Sequence, residues 1–210
     1  MSDALIYSKN WEEKLLVRRD HKHVYVVLSG TDTVLGRIIQ KKLGVSYNHC
    51  SISLDEDLER IYSFGRKTYW HVFSSGFVKE SKSSGFYKRF GSTRIIVLKI
   101  PVTKKQWTRI KRRIAIFKAE QDLYRYSLIG LIYCDLGIDI KRKNKYFCSQ
   151  FVTEVLNSSG LNLFDRPETL IRPHDYLNLT EPKIIYCGQI RNYERKEILE
   201  HNFMKQPLAQ

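Results

Sequence analysis

The sequence is poor in the residues that mark several large classes of protein. It contains 4 Cys, 5 Pro and 11 Gly among 210 residues. No two cysteines stand at C-x-x-C spacing, which argues against a zinc ribbon or a thioredoxin-type redox pair, and the four are too scattered for a disulfide framework. The low Pro and Gly content excludes a collagen-like or low-complexity chain.

Long apolar runs and targeting signals are also missing. The longest apolar stretch, LIGLIYCDLGIDI at 128–140, is interrupted by Asp135 and is too short to span a bilayer. The N-terminal sequence MSDALIYSKNWEEKLL has no basic start followed by an apolar block, so we expect no secretory signal. We therefore expect a cytoplasmic protein with reduced thiols and no transmembrane segment.

The chain does contain ample apolar material and an excess of positive charge. Hydrophobic residues make up 42% and aromatic residues 12%, which is enough to build a core and excludes general disorder. The 36 Lys and Arg against 22 Asp and Glu give a net charge of +14. Such a charge suits phosphates, nucleic acid or an anionic membrane surface as partner, and it equally suits solubility alone.

The hydrophobic patterns predict a single domain over residues 1–210, with a core at about 23–190 and an extension at each end. Strands are predicted at 23–30, 48–54, 60–66, 93–102 and 183–190. Helices are predicted at 33–44, 103–121, 124–135 and from Cys148 to near Gly160. Residues 67–92 predict a strand followed by a mobile loop, because they are rich in Ser, Gly and aromatic residues.

Cys148 is the most informative residue for chemistry, because it begins the predicted helix CSQFVTEVLNSS. A thiol there faces the positive end of the helix dipole and unpaired backbone N–H groups, and the preceding basic turn KRKNK adds to that field. We therefore predict a depressed pKa for Cys148. Cys50, Cys134 and Cys187 are predicted to be buried and structural. The alternative is that Cys148 packs in the core as a small apolar residue.

His49 is the candidate base for such a thiol. In the alternating segment NHCSISL it lies on the polar face, whereas Cys50 lies on the core face. The following turn and RIYSFGR predict a hairpin in which residue 53 pairs near 59 and residue 49 pairs near 63. Residues of equal parity share a face, so Ser63 is predicted to point the same way as His49. The alternative is an ordinary histidine on a surface strand.

Three segments, VYVVLSGTDTVLGRIIQ, YNHCSISLDEDLERIYSFGRK and YFCSQFVTEVLNSSG, carry a family resemblance. They resemble the circularly permuted branch of the NlpC-type papain-like cysteine peptidases, which is related to the lecithin retinol acyltransferase group. The resemblance implies an α+β papain-like fold, with a small antiparallel sheet packed against helices. It also implies Cys148 as nucleophile and His49 as base. Ser63 matches the position where many relatives carry Glu or another stronger orienting group.

The hypothesis is a cysteine hydrolase that needs no cofactor or metal. The resemblance implies that it cleaves an amide bond in a peptide or a cell-wall-type fragment. A small acyl compound is a further candidate substrate, and either substrate would be anionic if the positive charge is functional. An acyltransferase is the nearest alternative, because a thioester can pass its acyl group to an acceptor other than water. The rival class is a non-catalytic basic module that binds nucleic acid or another polyanion, although no nucleic-acid motif is present. If the charge selects an anionic substrate, Lys143 and Lys145 should matter more than Arg112 or Arg113.

Overall fold

The computed structural model describes residues 22–30, 47–66 and 75–194, and its centre is a six-stranded sheet. The strand order is β4-β3-β2-β1-β5-β8, and all five pairings are antiparallel. The strands of this sheet are β1 Lys22–Gly30, β2 His49–Ser53, β3 Ile61–Arg66, β4 Ser75–Glu80, β5 Arg94–Val102 and β8 Lys183–Gln189. A separate two-stranded parallel pair joins β6 Arg125–Tyr126 and β7 Lys145–Tyr146.

Four α-helices lie in the described part of the chain. They are α1 Gly85–Arg89, α2 Lys104–Ala119, α3 Leu128–Asp135 and α4 Cys148–Ser158. Short 3-10 turns cover Glu168–Leu170, Pro173–Asn178 and Ile190–Asn192. None of the helices in the described ranges is long and apolar enough to cross a membrane.

The sheet has an apolar core on each of its two faces, as the unbroken apolar run in β1 predicts. We call the side packed against α4 and α2 the α4 face. It carries Val24, Val26, Leu28, Cys50, Ile52, Phe64, Ile96 and Leu98. We call the other side the α1 face, because Tyr87 of α1 packs there. It carries Tyr25, Val27, Ile61, Ile95 and Val97.

The two long helices begin and pack for identifiable reasons. A capping box begins α2, in which Thr103 Oγ1 accepts the Gln106 backbone N–H at 3.2 Å and the Gln106 side chain accepts the Thr103 N–H. The apolar residues Ile110, Ile114 and Phe117 then face inward. Helix α4 packs against β2 and β3, and α2 packs against α4 and β1. This packing brings the start of α4 to β2.

The predicted mixture of an antiparallel sheet and several helices is confirmed, and so are the predicted strands. The predicted helix at 33–44 and the predicted extensions at both ends lie outside the described residues. The prediction of a mobile loop up to residue 92 is wrong for the part described, because 81–92 contains a turn and α1. Ser81 and Ser83 both donate hydrogen bonds to Glu59, and Tyr87 is buried, which holds this segment on the sheet.

Candidate active site

Cys148 is the first residue of α4, as the sequence predicts. The N-cap residue is Phe147, whose side chain makes no capping hydrogen bond. The first N–H groups of the helix therefore lack the usual side-chain acceptor. The sulfur lies close to these groups: the backbone amides of Cys50, Ser149 and Cys148 and the Ser149 side chain all lower the pKa of its thiol.

The backbone N–H of Cys50 has no partner in the β2–β3 ladder, because the two strands separate at this end. Their pairing consists of Ile52 with Tyr62 and Ser53 with Ile61, and it does not continue to Cys50. A buried backbone N–H needs an acceptor. The Cys148 sulfur lies close enough to this N–H for it to lower the pKa of the thiol, so the thiol meets β2 where the ladder between these two strands has ended.

The predicted depressed pKa of Cys148 is wrong for this state of the protein. The residue is 1% exposed, and burial raises the pKa of its thiol more than the N–H donors lower it. A low-dielectric surrounding disfavours the charged thiolate. The thiol is therefore protonated at neutral pH. The sequence pattern showed the helix terminus but not the depth at which the packing buries it.

His49 and Ser63 share a face of the sheet, as predicted, and their side chains are joined. His49 Nε2 lies 3.2 Å from Ser63 Oγ. The register differs from the predicted one by two residues, because Ser53 pairs with Ile61 rather than with residue 59. Asp55 accounts for the longer turn, since its carboxylate accepts hydrogen bonds from Glu59 N–H and Arg60 Nε. An even shift preserves parity, so the predicted pair still forms.

The imidazole of His49 is neutral near pH 7. Burial lowers its pKa to about 4, because the charged form loses hydration. A neutral imidazole has one donor nitrogen and one acceptor nitrogen, and the Ser63 hydroxyl can pair with Nε2 in either role. Gly65 stands beside the ring, where a Cβ would lie 3.5 Å from His49 Cε1.

The imidazole belongs to His49 of β2, and the thiol of Cys148 approaches the next residue of the same strand, Cys50. Side chains alternate along β2, so Cys50 points to the α4 face while His49 points to the α1 face with Ser63. The thiol approaches from the α4 face and meets the Cys50 N–H. The predicted meeting of the histidine strand and the cysteine helix is confirmed. The sulfur and the imidazole therefore lie on opposite faces of β2, and among the described residues no hydrogen bond joins them; the hydrogen bond described for the imidazole is the one to Ser63.

Glu80 and Tyr87 are polar neighbours of this site that sequence reasoning missed. Tyr87 donates a hydrogen bond to Ser29 Oγ at 3.4 Å, and Ser29 stands opposite His49 in the β1–β2 pairing. Burial raises the pKa of Glu80 to about 7, and Glu80 in turn raises the pKa of Tyr87. Residues that pair across two strands share a face, and Glu80 of β4 pairs with Ile61 of β3, which lies on the α1 face. Alternation along β4 would therefore have placed Glu80 on the α1 face.

Replacing Glu80 with Gln should expose two opposing pH dependences of stability. Glu80 titrates near 7 when folded and near 4.5 otherwise, so its contribution falls as pH rises from 4.5 to 7. His49 titrates near 4 when folded and near 6.5 otherwise, so its contribution falls as pH drops from 6.5 to 4. In the wild-type protein the two effects oppose each other over most of this range.

Without the Glu80 carboxyl, the loss of stability that His49 causes at low pH should no longer be offset by Glu80. Relative to wild type, Glu80→Gln should gain about 2–3 kcal/mol between pH 4.5 and pH 7, because each unit of pKa shift is worth about 1.4 kcal/mol. Urea unfolding at several pH values measures this difference. Glu181→Gln, at an exposed position, is the matched control and should shift nothing. A difference that does not change with pH would contradict the raised pKa of Glu80.

The remaining cysteines are free, and one differs from its prediction. Cys50 and Cys134 are buried, as predicted, whereas Cys187 is exposed. Cys187 lies on β8, an edge strand, and its sulfur is 3.8 Å from the Tyr47 hydroxyl. Edge strands have one open side, which the alternating pattern alone does not reveal.

Within the described residues, no group of three or more His, Cys, Asp or Glu side chains is arranged to hold a metal ion. No protein-family model, no curated protein and no solved structure matches the chain.

Proposed function

We propose that the protein is a papain-like cysteine hydrolase acting on an amide bond, with Cys148 as nucleophile and His49 as general base. Ser63 is the positioning residue for the imidazole. One observation carries the proposal: Cys148 begins helix α4, and its sulfur lies close enough to the backbone amide of Cys50, the residue after the hydrogen-bonded His49, for that amide to lower the pKa of the thiol. Donors fixed at a nucleophile are also placed to stabilise the oxyanion that its attack creates.

The protonation states favour general-base attack over a preformed ion pair. The pKa of the thiol is raised and the pKa of the imidazole is lowered to about 4, so both are neutral at rest. The sulfur attacks the carbonyl carbon while its proton passes to His49; this step requires the sulfur and the imidazole, which lie on opposite faces of β2 in the resting protein, to come into contact when substrate binds. The imidazolium then protonates the leaving amine, which leaves a thioester on Cys148. Water hydrolyses this thioester and regenerates the thiol.

The substrate class and the location are part of the same proposal. The substrate is a peptide or a small acyl compound, and its anionic groups would complement the excess of Lys and Arg. Four free cysteines support a cytoplasmic location, because thiols stay reduced there. Acyl transfer is the same chemistry up to the thioester and differs only in the final acceptor.

The test uses 4-nitrophenyl acetate as the acyl donor, in a Cys187→Ser background that removes the exposed thiol. One acetyl group should be transferred to Cys148, as judged by intact mass and peptide mapping, with release of 4-nitrophenol. Cys148→Ala should abolish this acetylation. Cys134→Ala, which removes another buried thiol, should leave it unchanged. Acetylation that persists in Cys148→Ala, or its absence in the parent protein, would refute the nucleophile.

A further inference from the structure

Helix α3 turns large apolar side chains toward solvent. Leu128 is 51% exposed, Ile129 45%, Ile132 57% and Leu136, just after the helix, 66%. Ile129, Ile132 and Leu136 follow Leu128 by one, four and eight residues, so the four side chains lie on one side of the helix. A surface helix normally shows the reverse pattern, with its polar side outward. These four side chains therefore need an explanation other than core packing.

The opposite side of α3 is packed firmly, so the exposure belongs to a defined surface. Gly130 and Cys134 are buried, and a Cβ on Gly130 would lie 3.2 Å from the ring of Phe147. The Arg172 guanidinium donates to the Asp135 carbonyl oxygen at 3.2 Å, near the end of the helix. Through Phe147, α3 contacts the residue directly before Cys148.

The chain after α3 extends this apolar surface. Ile138 N–H donates to the Tyr133 carbonyl oxygen at 2.8 Å, which folds the chain back at the helix end. Ile138 is 41% exposed and Ile140 is 44% exposed. We call the whole set the α3 apolar surface; it consists of Leu128, Ile129, Ile132, Leu136, Ile138 and Ile140. Exposed apolar residues gathered in this way mark interaction sites.

Basic residues border the α3 apolar surface. The pairing of β6 with β7 sets Lys145 beside Arg125, just before α3 begins. Arg142 and Lys143 belong to the same basic turn, and Lys143 is exposed.

Nearby carboxylates, with one exception, are already engaged by other cations. Asp135 lies 3.5 Å from Arg172, and Glu168 lies 2.6 Å from Lys141. Asp139, between Ile138 and Ile140, instead accepts a hydrogen bond from the Thr169 hydroxyl and is the one carboxylate of the described surface segment that no described ion pair engages. These pairings leave the border with an excess of positive charge.

A second copy of the chain is a poor occupant for this surface. A symmetric dimer sets the same patch against itself. It would therefore bring the two basic borders together, on chains that each carry a net charge of +14. Like charges across an interface cost free energy. The occupant should instead combine an apolar interior with a negatively charged boundary.

We propose that the α3 apolar surface docks the protein onto an anionic lipid membrane. Leucine and isoleucine side chains with Lys and Arg at their border are the composition of helices that lie in the membrane interface. The aliphatic side chains enter the acyl region, and the basic residues contact the anionic headgroups. Because α3 packs on Phe147, docking holds the start of α4 near the membrane.

The first test is sedimentation with phosphatidylcholine vesicles that do or do not contain phosphatidylserine. The full chain should bind the phosphatidylserine vesicles, and binding should weaken with salt. Ile132→Gln with Leu136→Gln should weaken binding at least tenfold, because each buried aliphatic side chain contributes about 1.5–3 kcal/mol. Ile184→Gln is the matched control, since Ile184 on β8 is also 51% exposed. Equal loss in the control, or no binding by the wild type, would overturn the proposal.

The second test concerns the basic border. Lys143→Gln and Lys145→Gln should each weaken binding to phosphatidylserine vesicles about fivefold, since a basic residue near the surface is worth about 1 kcal/mol. Arg112→Gln is the control, because it lies on α2; Arg113 is unsuitable, since it pairs with Glu154 at 2.5 Å. Acetylation of Cys148 should persist in the Ile132→Gln, Leu136→Gln variant, which separates docking from catalysis. Dimerisation through Ile132 and Leu136, seen by analytical ultracentrifugation, would also overturn the proposal.

Discussion

His49→Ala should reduce the rate of Cys148 acetylation by about 10²- to 10⁴-fold, the range that a general base contributes. The thiol is protonated at rest because burial raises its pKa, so attack requires a group that takes the proton. Without the imidazole, only water is left for that role. The rate of 4-nitrophenol release at fixed reagent concentration measures the loss, with circular dichroism to confirm folding.

Ser63→Ala should reduce the rate of Cys148 acetylation less than His49→Ala does. The hydroxyl makes one hydrogen bond to the imidazole, at 3.2 Å, and carries no charge. A neutral hydrogen bond is worth about 1 kcal/mol, so the rate should fall only about fivefold. Ser53→Ala, a buried serine on the same face of β2, is the control for lost polar packing. Equal acetylation rates in His49→Ala and the wild type would show that His49 is not the general base.

The pH dependence distinguishes the two possible resting states. The pKa of His49 is about 4, so the imidazole stays neutral, and able to accept a proton, down to that pH. The acetylation rate should therefore hold from pH 7 to about pH 5 and fall only below that. A fall centred near 6.5 would instead indicate an imidazole with its ordinary pKa.

The face of the sheet on which a strand residue lies was predictable from the sequence, because an error of two residues in register does not change it. The predicted hairpin was two residues too short, yet His49 and Ser63 still share a face, since side-chain direction repeats every two residues. The helix start at Cys148 was predictable for a similar reason, because apolar spacing defines where α4 packs. Both features depend on local periodicity alone.

The pKa of Cys148 and the exposure of α3 were not predictable, because both depend on tertiary packing. The helix terminus and the basic turn favour the thiolate, but Cys148 lies among Cys50, Phe151 and Val152 in the core, where burial outweighs them. The run LIGLIYCD predicts a helix equally well whether its apolar side faces inward or outward. Only the packing of Gly130 on Phe147 decides which side is left exposed.

Phe151→Ala should lower the free energy of unfolding by about 3–5 kcal/mol, the range for a large side chain removed from a core. Phe151 is fully buried one turn after Cys148. Its ring centroid lies 5.2 Å from that of Phe64, 5.8 Å from that of Phe77 and 5.0 Å from that of Phe117. The cavity would therefore open where α4, α2, β3 and β4 meet.

The loss should appear in urea unfolding and in the melting temperature, which should drop by roughly 6–20 °C for a domain of this size. Phe151→Leu keeps most of the volume and should cost less than about 1.5 kcal/mol. Phe90→Ala removes a ring that is only partly buried, at the end of α1, and is the matched control for losing an aromatic side chain. If Phe151→Ala were no more destabilising than Phe90→Ala, the aromatic cluster would not be what fixes α4, and with it Cys148, against β2 and β3.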